Sequence, residues 1–247
     1  MNQSRFTPGV VARRPRARAV RALVVSALVV AAGAVHAAPL TPEQTVDLYL
    51  GMFVNGDASK AAQYNDAVRS QYDGKDPIDT DAIAHLGDGM KKEMADGMLS
   101  RMPPKTRAAL RAPVDAMVTS YLRALQRTQC KSTGSTQAPN EYIEGQQIAT
   151  VAFECRVADV EPGAKALQAQ LGGRKPKGDK AMIATFTAIY SGMTRIFDDA
   201  PMNRTVSSKF DVYGTNDKGW FNGRPGEVLS PVIDALVDPI PVPGDAK

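Results

Sequence analysis

Few residues of this chain can carry chemistry by their type, and their numbers limit it. The 247 residues hold two histidines and two cysteines. His36 lies in an amino-terminal stretch that reads as a removable leader, which leaves His85. One imidazole cannot build a zinc site of several histidines, and a cysteine site would compete with a disulfide. Ser-His-Asp catalysis would have to use His85, yet no serine sits in a G-x-S-x-G turn. His85 falls on a predicted amphipathic helix, where an exposed or hydrogen-bonded role is expected rather than that of a catalytic base. Asp76, Asp79, Asp81 and Asp88 crowd one stretch and suggest calcium. The EF-hand order fails, however, because Asp79-Thr80-Asp81 continues with Ala82-Ile83. Helix capping and a solvated acidic loop account for these aspartates. A carboxylate pair for glycoside chemistry would need a separation that no spacing here specifies. The expected catalytic, metal and cofactor sets are therefore empty.

Three further features bear on binding. Cys130 and Cys155 are expected to pair if the chain is exported to an oxidising compartment. Two buried free thiols are the alternative, and a redox dithiol would need the C-x-x-C spacing that is absent. Met90, Met94 and Met98 recur at helical spacing and read as core filler rather than a partner groove or copper ligands. Lys165, Arg174, Lys175, Lys177 and Lys180 concentrate positive charge in residues 161–180, which also carry Gly163 and Gly172-Gly173. A projecting cationic connection is expected there. It is either simply solvated or a contact element for an acidic protein or anionic envelope polymer. Asn203-Arg204-Thr205 matches a glycosylation sequon, discounted because the leader is of bacterial style.

The leader changes the charge reading. Residues 1–37 hold six arginines and no acid, residues 22–35 are an apolar run, and Val35-His36-Ala37 places small residues where a signal peptidase reads them. The run of 14 residues falls short of the roughly 20 that a spanning helix needs. Cleavage after Ala37 is expected rather than a permanent anchor. No cysteine follows for lipid attachment, and Arg13-Arg14 lacks the apolar pair of a twin-arginine signal, so Sec export to a periplasm is the expected route. Removing residues 1–37 leaves 24 basic against 26 acidic side chains. The basic isoelectric point is thus a property of the leader, and nucleic-acid binding loses its support.

The elements that must position these residues follow from local signals. Thr41-Pro42-Glu43-Gln44 predicts an N-cap, a proline at N1 and a capping box. Val46, Tyr49, Leu50, Phe53 and Val54 continue the helix, and Asn55-Gly56 ends it. Asp57 caps a second helix bearing Ala61, Tyr64 and Val68. Asp79 or Asp81 caps a third, which Pro103-Pro104 stops, and residues 105–127 form a fourth, kinked or restarted at Pro113. After Cys130 the period changes to two. Ala149, Val151, Phe153, Cys155 and Val157 alternate with polar or small residues and predict a strand with Cys155 inward. A β-branched run at 182–190 predicts a second strand, and Val206, Ser208, Phe210 and Val212 a third. A turn at 214–219 leads into Trp220-Phe221. Residues 164–171 form a short helix within the connection, and residues 227–237 a closing one. The expected fold class is α+β, with a helix-rich amino-terminal half, an antiparallel sheet in the carboxy-terminal half and a closing helix. The expected organisation is a single domain over 38–240, helical at 41–127, β-rich at 128–222 and helical at 227–237, followed by a flexible tail at 241–247.

Phe53-Val54-Asn55-Gly56-Asp57-Ala58, with Ala61-Ala62 and Tyr64, resembles the opening helical hairpin of NTF2-like and cystatin-like domains. The resemblance spans about 25 residues and implies a hairpin packed on a curved sheet around a pocket. The long helical stretch at 79–127 departs from that pattern. Members of the superfamily include isomerases and pure binding modules, so the resemblance implies no single activity.

Two functions lead the expectations, ahead of an envelope-assembly or structural role. One is an exported, periplasmic, non-catalytic binding or inhibitor protein that contacts a protein or envelope polymer, for instance neutralising an envelope-targeted toxin or enzyme. The other is an NTF2-like small-ligand protein or enzyme with an acid/base pocket. A sheet whose interior is open and lined by acids and tyrosines would favour the second; a filled interior favours the first.

Overall fold

The computed structural model describes residues 39–171 and 176–240. The expected leader, the tail at 241–247, Arg174 and Lys175 lie outside the described residues.

The helical half is set by its caps. Helix α1 (Pro42–Asn55) starts with the expected capping box: the Gln44 N–H donates to Thr41 Oγ1 at 3.2 Å and the Thr41 N–H to Gln44 Oε1 at 2.9 Å. It ends at Gly56, whose φ of +67° is the left-handed conformation a glycine adopts without steric cost. Asp57 caps α2 (Ala58–Val68) by accepting from the Ser59 N–H at 2.9 Å. Asp79 does the same for α3 (Thr80–Ala84) through the Ala82 N–H at 3.0 Å. The third predicted helix is broken at His85, and α4 (Leu86–Leu99) continues beyond it. Helix α5 (Pro104–Gln126) runs as one element through Pro113. Between α2 and α3, the buried Asn65 amide holds Ile78 at both backbone groups, donating to its carbonyl at 2.7 Å and accepting from its N–H at 3.1 Å.

The sheet is antiparallel with strand order β1-β2-β3-β4: β1 (Gln129–Pro139), β2 (Gln147–Val157), β3 (Arg204–Thr215) and β4 (Gly219–Phe221). Cys130 lies opposite Cys155, and Phe153 pairs with Ser132 on one side and Ser208 on the other. The expected alternation holds in β2, where Ala149, Val151, Phe153, Cys155 and Val157 are buried, and in β3, where Phe210 and Val212 are. Their neighbours Thr205, Ser207, Lys209 and Asp211 face solvent. One face of the sheet is covered by α1 and by α8 (Ser230–Val237), and the other is polar.

Three expectations are corrected. Residues 182–190 are not a strand; they lie within α7 (Asp179–Asp199), a 21-residue helix packed on α5. Ile183, Phe186, Tyr190, Met193 and Phe197 recur at three-to-four spacing, so burying one stripe overrides the β-preference of the threonines and isoleucines between them. Tyr121 of α5 meets Phe197 edge-on with ring centroids 5.4 Å apart. The cationic connection therefore does not join two strands. It follows α6 (Glu161–Leu171) and leads into α7, and its described residues lie in or beside these two helices, which pack as a hairpin. That hairpin is close-packed: a Cβ at Gly163 would lie 2.9 Å from Ile196 Cγ1, and one at Gly192 would lie 2.7 Å from Leu167 Cδ1. The closing helix, finally, begins at Ser230 after a 3₁₀ turn (Pro225–Leu229). Pro231 lacks an N–H and its ring would clash with the preceding turn, so it is tolerated only near a helix start.

Strand β1 was not anticipated. Its Gln-Cys-Lys-Ser-Thr-Gly-Ser-Thr-Gln-Ala-Pro sequence has no apolar alternation because it is an edge strand with little burial. Its register shifts between Ser132 and Gly134. At that irregularity Asp47 of α1 accepts from the Ser132 N–H at 2.7 Å and from Ser132 Oγ at 3.0 Å. Glu43, one turn earlier on the helix, accepts from Ser135 Oγ, and this bond holds its carboxyl below the usual range.

Candidate interaction surface

The centre of the covered face is filled by side chains, and a hollow of about 370 Å³ lies at its edge beside Trp220, lined among others by Leu40, Glu43, Ser135 and Gln137. Tyr49 and Tyr64 are 1% and 2% exposed, and their hydroxyls share a 2.9 Å hydrogen bond. The Tyr49 oxygen also accepts from the Asn222 backbone N–H at 3.2 Å. Burial pushes Tyr49 up to about 12 and raises Tyr64 further in the same direction. Phe210 and Phe53 border Tyr49, and Trp220 and Leu236 complete the filling. Apart from the tyrosines and Trp220, the buried polar side chains among the described residues are Thr45, Asn65, Thr106, Ser120 and Thr128, and none of these five is ionisable.

The residues singled out by sequence are dispersed. Cys130 and Cys155 form a disulfide across the β1–β2 register, with Cα atoms 4.0 Å apart. Lys165 pairs with Glu161 one turn away at 2.7 Å on α6, while Lys177 and Lys180 are exposed at the entry to α7. His85 sits exposed between α3 and α4. Its ring nitrogen lies 3.0 Å from the Asp81 carbonyl oxygen, which, with the Asp81 charge, raises its pKa. Asp76 is engaged by Arg69 at 2.7 Å, and Asp79 is a cap. Met90, Met94 and Met98 are partly buried against the core. Among the described residues no three His, Cys, Asp or Glu side chains converge on a metal-sized site.

Two surface features remain. A concavity of about 560 Å³ lies over the polar end of β3, lined among others by Thr150, Asp211, Tyr213, Asn222, Arg224 and Glu227. Its groups largely engage one another: Thr150 Oγ1 donates to Asp211 at 2.6 Å, Asn222 Nδ2 to the Asp211 carbonyl at 2.6 Å, and Arg224 meets Glu227 at 2.8 Å. The second is the seven-residue link between β1 and β2, Asn140-Glu141-Tyr142-Ile143-Glu144-Gly145-Gln146. Tyr142 is 93% and Ile143 52% exposed. Sequence reasoning passed over this link, although an apolar pair between two acids, bounded by Pro139-Asn140 and Gly145, is a visible signal in a polar stretch.

The chain matches no protein-family model, no curated protein and no solved structure.

Proposed function

We propose that the chain is an exported, non-catalytic binding or inhibitor protein that acts by stoichiometric contact with another macromolecule of the cell envelope. The observation that carries this reading is the filled face of the sheet. An acid/base pocket needs ionisable groups facing open space, whereas on this face the Tyr49 and Tyr64 hydroxyls are spent on each other and on a backbone amide. The Cys130–Cys155 bond fits an oxidising compartment, as does the leader-like composition of residues 1–37. Among the described residues no helix is long and apolar enough to cross a membrane.

The test uses protein exported from bacterial cells and purified with its disulfide intact. Saturable one-to-one complex formation with an envelope macromolecule, without turnover of ester, glycoside or peptide substrates, is the expected result. Turnover of a small molecule without any saturable partner would favour the NTF2-like pocket instead. The cationic link is the surface to perturb first. Reversing Arg174, Lys175 and Lys177 to glutamate should slow association with an acidic partner and weaken its salt dependence, with the melting temperature nearly unchanged.

A further inference from the structure

The β1–β2 link is built to hold its apolar residues out rather than to let them collapse. The Asn140 N–H donates to the Gln146 carbonyl at 2.8 Å, and Asn140 Nδ2 donates to Gln146 Oε1 at 2.6 Å, which closes the base of the loop. Asn140 Oδ1 in turn accepts from the Tyr142 N–H at 3.0 Å, an Asx turn that sets the backbone leading into the aromatic residue. On the far side the Gln146 N–H donates to the Ile143 carbonyl at 3.2 Å, and Gly145 takes a φ of +76°. The tip is thus fixed by its own hydrogen bonds, so little conformational entropy remains to be lost when it is gripped.

Tyr142 presents nearly its whole side chain, and Ile143 half of its own, at the end of two paired 11-residue strands. Glu141 and Glu144 flank them, both exposed. A rigid aromatic-aliphatic pair ringed by charge has the composition of an interface anchor: the apolar atoms supply affinity once desolvated, and the rim charges select the partner.

Resting on the binding function proposed above, we infer that the β1–β2 tip is the anchoring contact, inserting Tyr142 and Ile143 into an apolar cleft of a partner protein rimmed by lysine or arginine. The flanking acids argue for that occupant. They would be repelled by an anionic lipid surface, and a two-fold pairing of tips would oppose four like charges. The tip is acidic where the α6–α7 link is basic, so the two surfaces select partners of opposite sign.

The decisive experiment places the photoreactive amino acid benzoylphenylalanine at Tyr142 or, separately, at Lys177 in the full exported chain. Adducts formed in the envelope are identified, and the crosslinked protein is then purified for kinetics with the unlabelled chain. An adduct at Tyr142 is expected, whose partner binds the Tyr142→Ala variant about 30-fold more weakly than wild type. Glu141→Lys with Glu144→Lys should slow its association, and raising the salt should slow the wild-type rate. Equal affinity for wild type and Tyr142→Ala would overturn the assignment, as would tight binding of the wild-type chain to anionic vesicles. Adducts at Lys177 alone would reject the tip and leave the binding function standing. Adducts at neither position, with no saturable complex, would reject both.

Discussion

Cys130 and Cys155 face each other across the β1–β2 ladder, at the end of the hairpin remote from Tyr142. Cys155 is fully buried, and the bond closes a loop of 25 residues. By loop-closure entropy the crosslink contributes about 3.5 kcal/mol. Replacing both cysteines with alanine should lower the unfolding free energy by about 3 kcal/mol, read from urea titrations with the slope fitted for each protein, because the uncrosslinked unfolded chain exposes more surface. A loss below 1 kcal/mol would show that β1 is held by α1 and the ladder alone.

The buried tyrosines set an alkaline limit. Desolvation raises the folded-state values of Tyr49 and Tyr121 to about 12, and that of Tyr64 moves the same way. In the unfolded chain a tyrosine ionises near pH 10. Above that value the unfolded state releases protons that the folded state retains, so stability is intact below about pH 10 and falls as pH rises towards 12. Tyr49→Phe with Tyr64→Phe should flatten this fall in a series of urea titrations from pH 8 to 11.5. An equally steep fall in the double variant would assign the limit elsewhere.

Gly214 is a position where any side chain is excluded by backbone. A Cβ there would run into the Gly219 carbonyl oxygen, and Gly219 cannot move without shifting Trp220, which is 1% exposed. Gly214→Ala should therefore cost about 2 kcal/mol or more. Tryptophan fluorescence is the direct check, because Trp220 is the chain's sole indole.

Asn65 offers a cleaner hydrogen-bond test. Asn65→Ala would leave the Ile78 N–H and carbonyl without their side-chain partner, at a cost of about 2 kcal/mol. Asn65→Asp keeps the acceptor and loses the donor, so it should be destabilising as well. Hydrogen exchange at the Ile78 amide should accelerate in the alanine variant and much less in the aspartate one.

The legible parts of the fold were those decided within a few residues. Thr41, Asp57 and Asp79 cap helices because each oxygen needs only an N–H two or three residues ahead. The β2 and β3 alternation was readable because one face of each strand is buried and the other solvated. Residues 182–190 misled because isoleucine and threonine favour strands locally, while the choice was made by packing against α5, a segment some 70 residues earlier in the chain. β1 was hidden because an exposed edge strand places no demand on hydrophobicity. Of the candidate surface, the disulfide followed from the cysteine count and the expectation of an oxidising compartment. The rigidity of the 140–146 tip depends on Asn140 bonding across to Gln146, which no spacing rule indicates.

The contacts of Asp47 and Glu43 with Ser132 and Ser135 limit how the molecule can aggregate. An outer strand normally offers a row of free amides on which a foreign strand can grow. In β1 one of those amides is already occupied by a carboxylate, the ladder beside it is out of step, and a helix stands along the rim. Strand-by-strand accretion, the usual hazard of a polar open sheet, is blocked at this margin. At this edge, association is left to side-chain contacts that can be desolvated and released reversibly.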